Sequence, residues 1–362
     1  WMGLARVLFY LGRQNEALAL VRKARDPLET KCRSSTYDYL SYLDEAEFMM
    51  VCGDEAACVS ALRESLAVAK RQNFQNHTWW RPSVMSRLYA RALTHNIEPD
   101  YVRRIIKLRG LTPPADVPVP DTWPYPLKLH TLGRFTVTRD DQPLSRSAAH
   151  QKPLALLQAL VALGGREVDE AKLAECFWPE AEGDAAIQNL KINVHRLRKL
   201  LPENTLVWTE GKLSLDAHRV WVDLWALERE LNRLDQASPA EAAEPAFIAQ
   251  RIFRLYRGAF LPGNTAPWAL AARERIHNKT LRLVTRTAET LLPADPAAAV
   301  PIYDKAIELD PLRESLYQGL MRCYRALHRP AEVEHVYRRC RDVLKRELGL
   351  APSPATEALR QV

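Results

Sequence analysis

The sequence predicts a mainly α-helical chain interrupted by one small mixed α/β segment, and three observations carry that reading. Helix-period apolar patterns fill both ends of the 362 residues, and one of them repeats at a spacing of 34. Prolines at 113, 114, 118, 120, 124 and 126 separate the first helical region from the rest. Directly after them the only strand-like alternation in the chain begins, and it ends in a tight hairpin pattern.

The elements follow in order. Residues 1–110 read as helical hairpins, the clearest being Phe48 to Lys70 with its turn at Gly53-Asp54. The segment 111–126 is too rich in proline for helix or sheet and predicts a semi-rigid extended linker making few contacts. Leu127, Leu129, Leu132, Phe135 and Val137 alternate toward a turn at Asp140-Asp141. A helix follows to Leu163, stopped by Gly164-Gly165, and Pro153 fixes its start near Gln151 because proline fits only the first turn. A short strand near Glu167–Val168 leads to a second helix, Asp169 to Phe177, with Asp169 as N-cap. The loop Trp178–Gly183 precedes a basic helix ending at Leu201, with Asp184 as a possible cap. Leu206–Thr209 and Lys212–Leu215 form a hairpin around Glu210-Gly211, where glycine supplies positive φ. A helix over Trp221–Leu234 then opens the last region, with further helical stretches at 251–260, 268–292, 296–309, 312–327 and 330–348.

The basic helix carries the functional signal. At about 100° per residue, Ala186, Leu190, Val194, Leu197 and Leu201 fall on one apolar stripe. Gln188, Ile192, His195 and Lys199 oppose it, flanked by Lys191, Arg196 and Arg198. Taken alone, that pattern describes an ordinary surface helix with a solvated basic face. Its context reverses this: sheet, helix, strand, helix, loop, basic helix and hairpin make a helix-turn-helix with a wing. In a major groove, amide and guanidinium groups read base edges and cations neutralise phosphate; Ile192 suits a thymine methyl, and cover by a neighbouring element explains it equally well.

Composition sets bounds. An apolar fraction of 47% with 26% charged residues describes a globular chain, and the net charge of +7 is spread rather than concentrated. Residues 127–220 hold 13 basic against 12 acidic residues, a net charge of only +1, so local segregation and not bulk charge supports a nucleic-acid partner. Six cysteines at 32, 52, 58, 176, 323 and 340 form no CxxC pair, which fits a reducing cytoplasm. No apolar run is long enough to span a membrane, no phosphate loop or GxGxxG is present, and no Cys/His cluster has zinc spacing. No catalytic site, cofactor or metal is expected, and the predicted location is cytoplasmic.

Several stretches resemble known families. Leu132-Gly133, the Leu173…Phe177-Trp178 helix end and Val194-His195-Arg196-Leu197-Arg198-Lys199-Leu200-Leu201 resemble the OmpR/PhoB-type winged-helix domain. That resemblance makes 185–201 the recognition helix and 206–215 the wing. It implies DNA contacts by Lys152, Trp178, Gln188, Lys191, Ile192, His195, Arg196, Arg198, Lys199 and Lys212. It also implies an RNA polymerase contact by Glu180 and Glu182. The wing departs from the pattern: it is short, has no aromatic at its tip, and Glu210 repels phosphate. Trp178 reads equally as a plain core anchor, and the two glutamates equally as partners of a helix dipole.

Tyr303 and Tyr337, 34 apart, resemble the tetratricopeptide repeat, and Leu4, Arg6, Leu11, Arg13, Glu16 and Arg22 match Leu320, Arg322, Leu327, Arg329, Glu332 and Arg338 in one register. Leu255 through Gly263, the run Arg338-Arg339-Cys340-Arg341, and Glu347 through Pro354 resemble the bacterial transcriptional activator domain of SARP-class regulators. The fold class is therefore mainly α, with tetratricopeptide-like repeats flanking a small α/β winged helix-turn-helix domain. The implied domains are 1–110 (repeats), 111–126 (linker), 127–220 (winged helix) and 221–362 (activator domain). Beginning mid-repeat at Trp1, the first region reads as the end of a longer regulatory one, and related regulators carry a nucleotide-binding module further upstream. The implied function is a sequence-specific, double-stranded DNA-binding activator, with repeats for regulation. The alternative is a tetratricopeptide-repeat scaffold whose winged helix mediates protein–protein contacts.

Overall fold

A computed structural model describes residues 1–25, 34–117, 119–144, 150–181, 183–236 and 243–360. The chain divides into two compact units, Trp1–Tyr125 and Pro126–Val362. The fold is mainly α-helical, with tetratricopeptide-like helical hairpins and a small winged helix-turn-helix.

The first unit contains α1 (Met2–Tyr10), α2 (Gln14–Lys23), α3 (Ser35–Cys52), α4 (Glu55–Gln72), α5 (Pro82–Thr94) and α6 (Pro99–Arg109). The α3–α4 hairpin turns where the sequence put it: Gly53 takes φ +80°, and the Asp54 carboxylate accepts from the Ala57 N–H at 3.0 Å. Phe9 and Phe48 stack with centroids 4.1 Å apart at the centre of the packing. The proline-rich segment has no helix or strand among its described residues, yet it is not a bare spacer. Asp116 pairs with Arg87 at 2.8 Å, and Trp123 and Tyr125 are buried. The aromatic residues, which proline spacing alone does not weigh, anchor its far end.

The second unit opens with β1 (Leu127–His130), β2 (Thr136–Arg139) and β3 (Gln142–Pro143), followed by α7 (Gln151–Ala162), β4 (Val168–Asp169), α8 (Glu170–Glu175) and α9 (Gly183–Leu200). The wing is β5 (Leu206–Thr209) and β6 (Lys212–Leu215), and β7 (Val220–Val222) leads into α10 (Asp223–Gln236). The remaining helices are α11 (Ala243–Leu255), α12 (Pro267–Leu291), α13 (Pro296–Leu309), α14 (Glu314–Ala326), α15 (Pro330–Leu348) and α16 (Pro354–Arg360). One sheet has the order β3-β2-β1-β7, with β1 antiparallel to β2 and parallel to β7; the other has the order β4-β6-β5.

Four local expectations are corrected. Trp221 lies on strand β7, not on a helix, because β1 pairs with Val220–Val222 through Leu127–Leu129. Helix α9 already starts at Gly183, so Asp184 sits in its first turn rather than capping it. The helix before the Leu-Pro-Gly break is Ala243–Leu255, and residues 256–260 leave it. A last short helix, Pro354–Arg360, was not expected.

The winged helix is joined to the helical region by specific polar contacts as well as by apolar packing. Asp223, buried at the start of α10, accepts from the N–H groups of Thr131, Leu132 and Leu224 and from the Thr131 hydroxyl, all within 2.9 Å. Gly133, at φ +86°, donates its N–H to the Ala259 carbonyl, and a Cβ there would lie 2.9 Å from the Arg257 carbonyl oxygen. That close approach is what the Leu-Gly pair permits. Trp225 of α10 is buried, with Nε1 donating to the Gly164 carbonyl at 3.0 Å. The Leu261 N–H donates to the Thr131 carbonyl at 2.8 Å, and Asn264 Nδ2 donates to Gln158 Oε1 at 2.9 Å. Arg273 braces that turn from within the helical region by donating to the Phe260, Leu261 and Asn264 carbonyls.

Candidate nucleic-acid interface

Helices α7, α8 and α9 form the helix-turn-helix core, and each is placed by a simple local device. Pro153 sits in the first turn of α7, and the Asp169 carboxylate caps α8 by accepting from the Ala171 and Lys172 N–H groups at 2.8 and 3.4 Å. Ala186, Leu190, Val194, Leu197 and Leu201 are all buried, so the apolar stripe of α9 fixes its rotation about its own axis. Asn193 is buried beside that stripe and donates to the Asn189 carbonyl at 2.9 Å.

The opposite face is open. Gln188, Lys191, Ile192, His195, Arg196, Arg198 and Lys199 are exposed, Ile192 at 44%. Among the described residues, no ion pair or hydrogen bond engages the cations Lys191, Arg196, Arg198 and Lys199. Elsewhere the chain pairs many of its arginines with carboxylates, such as Arg91 with Glu55 at 3.0 Å and Arg251 with Glu230 at 2.9 Å. Four cations on one face of one helix, without a partner among the described residues, leave their charge for an external anion.

The flanking residues fall into two groups. Lys152 is exposed on the first turn of α7, and Lys212 is exposed on the wing. Trp178 is half-buried and packs against the core beside Phe177, with centroids 5.6 Å apart. Its indole N–H has no partner among the described residues, so one donor stays available. Glu180 is exposed in the loop before α9; Glu182 lies outside the described residues.

The wing turn has both Glu210 and Gly211 at positive φ, 51° and 74°, the geometry that matches hairpin twist. The hairpin is held by two contacts that sequence spacing did not reveal. Trp208 Nε1 donates to the Glu170 carboxylate at 3.0 Å, and the Glu170 N–H donates to the Gly211 carbonyl at 2.8 Å. Glu170 thus ties the wing to the start of α8, across 38 residues.

Among the described residues, no group of three or more His, Cys, Asp or Glu could hold a metal ion. Burial pushes the Cys58 and Cys323 thiols up to about 11 and Cys340 to about 12, which keeps them protonated and poorly nucleophilic. No helix there is long and apolar enough to cross a membrane.

Residues 222–362 match the family described as Bacterial transcriptional activator domain. Regulatory protein AfsR of Streptomyces griseus is 29% identical over 237 residues, covering 65% of this chain and 24% of the relative. The AfsR of Streptomyces coelicolor is 30% identical over 244 residues, with the same coverage of 65% and 24%. The chain therefore spans about a quarter of the length of these relatives. Among solved structures, Mycobacterium tuberculosis EmbR in complex with a low affinity phosphopeptide has a TM-score of 0.50 at 22% identity, covering 66% of this chain and 64% of that one. At that identity the likeness is one of fold. Together these findings make the chain similar to SARP-type transcriptional activators with tetratricopeptide-like helical repeats.

Proposed function

We propose that this chain is a sequence-specific, double-stranded DNA-binding transcriptional activator that inserts α9 into a major groove. The observation that carries the reading is the face of α9. Its cations have no partner among the described residues and its amide and imidazole groups are exposed, while its buried stripe anchors it to a helix-turn-helix. The match of 222–362 to an activator domain supports a role in transcription rather than in packaging DNA. Gln188, Ile192, His195 and Arg196 are assigned to base edges. Lys152, Lys191, Arg198, Lys199, Lys212 and the Trp178 N–H are assigned to phosphates. Glu180, and Glu182 with it, offer carboxylates to a basic surface of RNA polymerase. The helical repeats carry regulatory and partner contacts, and no catalysis is assigned to the chain.

The test is a randomised-library selection with the full chain, followed by a salt titration on the recovered duplex. Enrichment of one motif is expected, with log affinity falling against log salt at a slope of about −4.5 for the five cations assigned to phosphates. No enrichment, together with capture of a protein partner by the same face, would establish the scaffold reading instead.

A further inference from the structure

We infer that Ile192 reads a thymine 5-methyl group, so that the bound site carries a required thymine at the centre of the α9 footprint. The inference rests on the DNA-binding reading above and deepens it. Ile192 is 44% exposed on the face opposite the buried stripe. Its helical neighbours three and four positions away are Gln188, Asn189, His195 and Arg196, all polar. An isoleucine there gains nothing from the core, and no apolar neighbour on its own helix face shelters it.

In a major groove that position has one matching feature. Thymine alone of the four bases projects an apolar group, its C5-methyl, into the groove. Gln188 stands one turn before Ile192 and Arg196 one turn after it, each about 6 Å along the helix. The three positions together span about 12 Å, against about 3.4 Å per base step. A footprint of roughly three to four steps follows, with the apolar contact in the middle. Gln188 suits an adenine edge on one side and Arg196 a guanine edge on the other.

The experiment uses the tightest duplex recovered from a randomised library with the full chain. Each thymine in it is replaced singly by deoxyuridine, which keeps every hydrogen-bonding group and removes only the methyl. The wild-type chain is expected to lose about three- to tenfold in affinity at one or two thymines and nothing at the others. Ile192→Ala should bind the thymine duplex as weakly as wild type binds the uracil duplex, and should no longer distinguish the two. Ile192→Val should keep part of the discrimination. Because the side chain is exposed, an unchanged melting temperature is expected for both variants. If no duplex is recovered, the DNA-binding reading fails and takes the inference with it. If a duplex is bound specifically but no methyl matters, or Ile192→Ala keeps the same methyl dependence, the inference alone is overturned.

Discussion

Asp223 has four donors aimed at one buried carboxylate, three backbone N–H groups and the Thr131 hydroxyl. Burial raises its pKa, and the donors from Thr131 and Leu132 work against that rise by favouring the ionised form. Asp223→Asn would turn one acceptor oxygen into an NH2 facing N–H groups. A loss of about 2–3 kcal/mol in urea unfolding is expected; an unchanged midpoint would mean the loop after β1 is not held this way. Nothing in the sequence marked this residue, because its partners Thr131 and Leu132 lie 92 and 91 positions away. A second residue sets a pH dependence. Burial lowers the His77 pKa to about 4 from an ordinary value of 6.5, helped by nearby Arg6, Arg81 and Arg109. The folded state therefore binds fewer protons than the unfolded chain between those values. Stability is full above pH 6.5 and falls as the pH drops toward about 4. Thermal melts of the full chain should show the transition of the first unit moving down over that window, and His77→Phe should flatten the trend.

At the scale of elements, legibility in the sequence followed periodicity. Helix α9 was readable because its five apolar positions keep one 3.6-residue stripe, and all five are buried. The wing and the β2–β3 turn were readable from their turn residues, and Asp140 and Asp141 both take positive φ. Strand β7 was not: three residues, Val220-Trp221-Val222, are too few to show a period of two, and its parallel partner lies far upstream. The wing anchor Glu170–Trp208 escaped for the same reason of distance. The exposed elements make separable predictions. His195→Ala and Arg196→Ala should each weaken binding to the selected duplex by about 1–3 kcal/mol without lowering the melting temperature. Lys152→Ala should weaken all duplexes alike. Binding isotherms unchanged in all three variants would remove α9 from the interface. Glu180→Lys should leave DNA affinity intact and abolish activation in a reconstituted transcription assay, and retained activation would limit that carboxylate to favouring the α9 dipole.

For the whole molecule, the question is whether the winged helix and the activator domain are two folding units or one. Residues from both contribute to a common core in Pro126–Val362, in which Leu157, Leu190, Leu227, Phe260 and Ile276 are buried. The seam is specific as well as apolar. Gly133 and Arg257 approach too closely for any side chain between them, the Leu261 N–H donates to the Thr131 carbonyl at 2.8 Å, and Asn264 Nδ2 donates to Gln158 Oε1 at 2.9 Å. Trp225 is the most exacting contact: its ring lies where a Cβ on Gly165 would fall within 2.6 Å, and the Arg166 guanidinium sits 4.9 Å above it. Truncating it opens a cavity at the seam and removes a hydrogen bond to Gly164, so Trp225→Ala should cost about 3–5 kcal/mol. If the two parts brace one another, that loss is shared. Calorimetry on residues 126–362 should give one transition, moved to lower temperature as a whole, and DNA affinity near the new midpoint should fall with it. Two separate transitions, with the winged-helix one unmoved by Trp225→Ala, would mean that α9 is oriented by its own three-helix core alone and that the activator domain is only tethered to it.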